Sequence, residues 1–297
     1  MAQAAARAGD GRILRDHPVL RFAASGYKYL IRREGGQINY SVSGGGRTLT
    51  APVLWAFGFG AMGQTYIYRY GGALYESQVS FYSALNGLDL TIGHTSFVPA
   101  SVEEAAGRPI QKREAVRCFG CHTTGQLNAP EPGVQCEHCH KNAQMHARSL
   151  ADRTVAEVTP EKLSRLSVEE QSDFCGGCHR TWQEVSANGP HDVNNVRFQP
   201  YRLATSRCYN SSVNDQRIAC VACHNPHEKL VKTPEFYDAH CVTCHDTRSV
   251  SARIKVCPVA ARGCTTCHMP KVDFPHGHFQ FTDHRIRVVR SGAGYPD

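Results

Sequence analysis

Cys118-Phe119-Gly120-Cys121-His122-Thr123-Thr124 and, a few residues on, Gly133-Val134-Gln135-Cys136-Glu137-His138-Cys139-His140 decide how this chain is read. Each contains Cys-x-x-Cys followed at once by histidine. The pattern returns at Cys175/Cys178/His179, Cys220/Cys223/His224, Cys241/Cys244/His245 and Cys264/Cys267/His268, six occurrences in all. Two thiols three residues apart can form thioether bonds to the two vinyl groups of one haem, and the next histidine then lies under the iron as its proximal ligand. A zinc protein would pair its Cys-x-x-Cys units with one another or with spaced histidines. A disulfide-dense scaffold is usually short, whereas this chain has 297 residues. Six covalently attached haem c groups are therefore the expected cofactors.

Twelve of the 14 cysteines are used in this way. Cys208 and Cys257 remain. A disulfide between them is the expectation in an oxidising compartment, ahead of two buried thiols or a longer attachment run starting at Cys257. Ten histidines lie outside the motifs: His17, His94, His138, His146, His191, His227, His240, His276, His278 and His284. Bis-histidine coordination of every iron needs six of them, so counting alone reveals no open site. His138 lies between two attachment cysteines and is committed to that loop. Met62, Met145 and Met269 read as packing residues.

The part before Cys118 holds no cysteine and reads as β. Ile38, Tyr40 and Val42 alternate with polar residues before Gly44-Gly45-Gly46, Tyr66 to Tyr70 is rich in strand formers and ends at Gly71-Gly72, and Ala73 to Tyr82 follows as another strand. The rest reads as short helices and loops. Ser101 with Glu104 and Ser167 with Glu170 look like capping boxes, and Thr159-Pro160 like a helix start. The expected fold class is α+β. A small antiparallel β-rich region over 1–100 precedes a mostly α and loop multihaem domain over 101–297, its core packed with haem. Gly58-Phe59-Gly60-Ala61-Met62-Gly63 matches G-x-G-x-x-G, but Gln64 to Tyr68 continues as strand where a nucleotide site needs a helix.

The formal charge of +7 suggests an acidic partner until the cofactors are counted. Six haems bring about twelve propionates, which removes the case for nucleic acid. The longest apolar run, Ala51 to Gly63, is short of the roughly 20 residues a membrane helix needs. The first twenty residues hold no apolar signal core. Covalent haem attachment takes place outside the cytoplasmic membrane. A periplasmic or extracellular protein, its leader missing from this sequence, is the expectation. No Ser-His-Asp constellation or carboxylate metal cluster stands out.

The first two motifs, with His146 just after the second, resemble the multihaem cytochromes related to the nitrifier tetrahaem cytochromes and to hydroxylamine oxidoreductase. Val196-Arg197-Phe198-Gln199-Pro200-Tyr201-Arg202-Leu203, the ending Cys267-His268-Met269-Pro270 with Phe281-Thr282-Asp283-His284-Arg285-Ile286, and Leu54-Trp55-Ala56-Phe57-Gly58 with Gly63-Gln64-Thr65-Tyr66 are similar to bacterial members often fused to tetratricopeptide repeats. The resemblance covers most of the chain and implies distal ligands. His146 follows its motif as the family's distal ligand does. His227 takes another familiar place, His278 and His284 fall in the terminal segment, and His94 closes the β region. His17 is the choice for the sixth, with His191 and His276 behind it.

Haems attached about every 25 residues must crowd together and pass electrons between their edges. The expected function is electron transfer through mostly bis-histidine haems, with redox proteins as partners and no catalytic residues. Two alternatives stand beside it. One is a redox enzyme acting on a small nitrogen or sulfur compound at an open haem. The other is a subunit that assembles into an oligomer or an extracellular conducting filament.

Overall fold

A computed structural model describes all residues except 2, 95, 97, 153–161, 210–217, 246–256, 291 and 297. The Thr159-Pro160 helix start lies outside the described residues. The chain divides into two compact units. One comprises Met1–Pro160 with His276–Phe279, the other Glu161–Pro275 with Gln280–Asp297.

The first unit is built on an antiparallel sheet. Its strands are β1 (Ala5–Arg7), β2 (Val19–Ala24), β3 (Tyr27–Glu34), β4 (Gln37–Gly44), β5 (Arg47–Phe57), β6 (Gly63–Tyr70), β7 (Ala73–Tyr82), β8 (Gly87–Leu90) and β9 (Gly107–Pro109). Strands β2 to β8 pair in sequence order, β1 adds to β5, and β9 adds to β7. Two-residue turns close the β4–β5 and β6–β7 hairpins, where Gly44 faces Arg47 and Tyr70 faces Ala73. Gly45, Gly46, Gly71 and Gly72 all have positive φ, the twist-matched turn that a Cβ would strain. The glycine pairs in the sequence therefore mark hairpins. The Gly58–Gly63 segment joins β5 to β6, so strand follows it.

Alternation sets the core. Tyr29 and Ile31 on β3, Ile38, Tyr40 and Val42 on β4, and Leu49, Ala51 and Val53 on β5 are buried in one cluster. A register shift between Val53 and Trp55 then turns the end of β5 toward a different neighbour. Trp55 and Phe57 join Ile67 in a second cluster with Ala115 and Phe119 of helix α3 (Lys112–His122). That helix follows α1 (Arg12–Asp16) and α2 (Val102–Ala106), whose Ser101 cap accepts from the Glu104 amide while the Glu104 carboxylate takes the Ala100 amide, so half of the expected capping box forms. Compactness thus divides the chain elsewhere than cysteine content does. α3 carries the first motif and packs on the sheet.

The remaining elements are short. β10 (Thr123–Thr124) pairs with β11 (Glu131–Pro132), followed by α4 (Cys136–Cys139) and α5 (Ala143–Ala151). The second unit holds α6 (Val168–His179), with the full Ser167/Glu170 capping box, α7 (Trp182–Asn188), α8 (Gln199–Ala204), α9 (Pro234–His245) and α10 (Cys264–His268). β12 (Lys271–Asp273) pairs with β13 (Gln280–Thr282). Among the described residues, both hydrophobic clusters lie in the first unit. Among the described residues the second buries a scatter of apolar side chains, among them Val185, Val196, Tyr201, Leu203 and Phe274. No helix among the described residues is long and apolar enough to cross a membrane.

Candidate haem sites

Five motifs are helical, and four of these end their helix on the motif histidine: α3 at His122, α6 at His179, α9 at His245 and α10 at His268. At helical spacing, residues i, i+3 and i+4 share one face, so both thiols and the imidazole of a motif point the same way. The second motif has its cysteines at the two ends of α4 and the fourth forms a 3-10 turn over Cys220–Ala222.

The sheet positions the first motif. Phe119 meets Trp55 edge-on at 5.4 Å and Phe57 at 5.1 Å between ring centroids. Phe57 stacks flat on His122 at 4.9 Å, and His122 Nδ1 donates to the Ala4 carbonyl at 2.9 Å. The second motif is tied to the first through Thr124, whose hydroxyl accepts from the Gln135 amide at 2.8 Å just before Cys136.

In the second unit the motifs crowd. The Cys220 thiol is hydrogen-bonded to Cys175, which holds it below the ordinary thiol range. Cys223 lies near Cys208 and Cys241, and Cys241 is hydrogen-bonded to Cys264. Motifs three to six therefore form a continuous run of neighbours. Asp238 on α9 accepts from the Gly263 and Cys264 amides at 2.7 and 2.8 Å, fixing the sixth motif beside the fifth. Gly176, inside the third motif, passes so close to Thr181 that a Cβ would stand 3.0 Å from its Cα.

Two features fit covalent haem here. Large apolar side chains stand exposed around the motifs, Phe174 and Trp182 flanking the third and Phe236 and Val242 the fifth. A macrocycle would cover such surface, and among the described residues the unit has no hydrophobic cluster of its own. The imidazole tautomers also suit iron. His122, His268 and His284 each set Nδ1 against a backbone carbonyl, of Ala4, Arg287 and Thr282 respectively. A carbonyl only accepts, so Nδ1 carries the proton and Nε2 keeps its lone pair. His284 lies 6.2 Å from His224 between ring centroids. Two imidazoles on opposite sides of one metal, each bonded at about 2 Å, have centroids about 6 Å apart.

The other candidate ligands stand in varied settings. His94 is buried, with Nδ1 on Gln78 Oε1 at 2.8 Å and Nε2 on Glu76 Oε2 at 3.3 Å. His278 sets Nε2 on Asp89 Oδ2 at 2.7 Å. A carboxylate partner places a proton on Nε2 in both. His17 packs on Phe81 at 5.2 Å. His146 lies on α5 one turn beyond its motif, and the His227 amide donates to Asn225 Oδ1. Motif residues His140, Cys139, Cys178, Cys244 and Cys267 stand in their helices or directly after them. Cys208 and Cys257 are both unbridged, so the expected disulfide is not formed. The Cys208 thiol is partly buried among the fourth and fifth motifs, whereas Cys257 is exposed. Among the described residues no group of three or more His, Cys, Asp or Glu side chains is arranged to hold a bare metal ion.

Burial pushes His284 down to about 4, and it also lowers His224 and His179. Below about 6.5 the unfolded chain takes up a proton that buried His284 refuses. Stability is therefore expected to be level above that pH and to fall as pH drops toward 4. Acid titration of the haem spectrum beside a stability curve checks this. A level curve between pH 6.5 and 4.5 would contradict it.

The sequence assigns no role to Phe57, Arg202 and Asp283, which stand in it only as parts of stretches that carry the resemblance, and Asp238 does not stand out in it at all. Only contacts across long separations reveal them.

No protein-family model matches the chain, and no solved structure matches it. It is 28% identical over 149 residues to the multiheme cytochrome MtrA of Shewanella baltica, across 48% of this chain and 37% of that protein. It is 25% identical over 154 residues to the cytochrome c-type protein NrfB of Haemophilus influenzae, across 48% of this chain and 66% of that one. The chain thus spans about a third to two thirds of the length of these relatives. The likenesses support a multihaem c-type cytochrome with covalently bound haem. Neither match bears on the nitrifier group or on fusion to repeats.

Proposed function

We propose that the chain is a hexahaem electron-transfer cytochrome of α+β fold, in which a β-rich region orients the first haem and the second unit is packed around its own haems. Its irons are mostly bis-histidine, its partners are redox proteins, and it works on the periplasmic or extracellular side. The observation that carries this is the unbroken neighbour relation of motifs three to six. Bound haem supplies reversible one-electron storage at each motif. The chain's part is to fix spacing, through Asp238 and the helix ends, and to fix each imidazole's tautomer.

Two measurements test it. Alkaline pyridine spectra are expected to give six haems per chain, and low-temperature electron paramagnetic resonance to give predominantly low-spin iron. Fewer haems, or a mostly high-spin spectrum, would overturn the proposal.

One observation favours a second reading, an open haem acting on a small nitrogen or sulfur compound. His94 and His278 set Nε2 against the carboxylates of Glu76 and Asp89, contacts that compete with iron for that nitrogen. A high-spin ferric signal that shifts with cyanide, with Cys118/Cys121 and Cys136/Cys139 haems as its source, would favour it.

A further inference from the structure

We propose that Arg202, Asp283 and Ser206 form a strap that holds His284 on the iron of the fourth motif, and that this strap keeps that iron closed. The proposal rests on the bis-histidine reading above.

Arg202 and Asp283 are both fully buried, though 81 residues apart. Burying a charged pair costs more than a surface pair returns unless every polar atom is met. Here the pairing is two-pronged: Arg202 Nε donates to Asp283 Oδ1 at 2.9 Å, and a terminal nitrogen donates to Oδ2 at 3.0 Å. The other terminal nitrogen donates to the Pro296 carbonyl at 3.0 Å, and the guanidinium lies 4.5 Å from the Tyr295 ring. Asp283 also accepts from Arg287 and from the Arg285 amide. The carboxyl is held below its ordinary range against the opposing effect of burial.

Ser206 completes the strap from just beyond α8. Its hydroxyl donates to the His284 carbonyl at 3.0 Å and accepts from the Ile286 amide at 2.8 Å. The residue before His284, its own carbonyl and the amide two residues on are thus all anchored to α8 and the segment after it. The ring is fixed in turn by Nδ1 on the Thr282 carbonyl. A histidine on a short irregular segment would otherwise pay rotamer and backbone entropy each time it reached the metal. Arg202, Asp283 and Ser206 are positioning residues.

The test uses the holoprotein and three variants, His284→Ala, Asp283→Asn and Arg202→Lys. His284→Ala is expected to turn one haem of the complement high-spin, with haem content unchanged, and added imidazole to restore it. Asp283→Asn and Arg202→Lys are expected to open the same single haem, seen as a high-spin fraction that binds cyanide and is reversed by imidazole. Lysine keeps the charge and loses the two-pronged fork, so it serves if the asparagine variant fails to mature. A merely structural loss would disturb several haems and would not be reversed by imidazole. If His284→Ala opens a haem and the strap variants leave every haem low-spin, the strap is wrong and the ligand assignment stands. If His284→Ala changes nothing, the ligand assignment fails and the strap with it.

Discussion

Produced in a host that cannot attach haem, the full chain is expected to keep its sheet and lose ordered packing throughout the second unit. Limited proteolysis should leave a resistant N-terminal fragment, with residues from α6 onward digested. The cause is where the apolar mass lies. Every member of both hydrophobic clusters falls within the first unit, from Ala5 to Leu127. The second unit's buried side chains are scattered, and its best-satisfied buried group is a charged pair, Arg202 with Asp283. A buried ion pair specifies a conformation more than it drives folding. Each macrocycle carries apolar area comparable with two or three tryptophans, so covering it contributes on the order of 10 kcal/mol. Four such groups exceed the stability of a typical domain several times over. Without them the conformational entropy of ordering short helices and loops has little to set against it. A haem-free second unit that resists protease would overturn this account.

The sheet was legible because its signals are local. Gly45-Gly46 and Gly71-Gly72 announce their own turns, and the alternation of Ile38, Tyr40 and Val42 needs no partner to be seen. The six attachment motifs are local too. What escaped is long-range. Phe119 sits between Cys118 and Cys121, so it reads as a spacer until the sheet supplies Trp55 and Phe57 to receive it. Asp283 looks like one more polar residue beside His284 until α8 brings Arg202 to it. His94 illustrates the reverse case. Its place ahead of the first motif suggests a ligand, and nothing in that order of residues announces the Glu76 and Gln78 side chains of β7 that meet its two ring nitrogens. Hydrogen-bond state is set by neighbours that the order of residues does not name.

Trp55→Ala is expected to lower the stability of the first unit by about 3–5 kcal/mol, the usual cost of emptying a large aromatic site in a core. Trp55 is 3% exposed and binds three things at once. It takes the edge of Phe119, neighbours Phe57, and lies under the Arg7 guanidinium at 4.0 Å, which in turn donates to the Pro130 carbonyl. Losing the indole therefore loosens α3, the end of β5 and the loop before the second motif together. Phe57→Leu provides the contrast. It keeps most of the volume, so its cost in stability is expected to stay below about 1.5 kcal/mol. It removes the flat stack on His122, so the first haem's low-spin resonance should shift while the others hold. Thermal unfolding followed by circular dichroism, together with paramagnetic resonance of both variants, separates the two effects. A Trp55→Ala loss under about 1 kcal/mol would mean that α3 does not depend on this cluster. An unshifted first haem in Phe57→Leu would mean that the sheet bears the helix without orienting its ligand. If both results come out as expected, the β-rich region is the part that aims the first imidazole, with Trp55 holding the helix and Phe57 setting the ring.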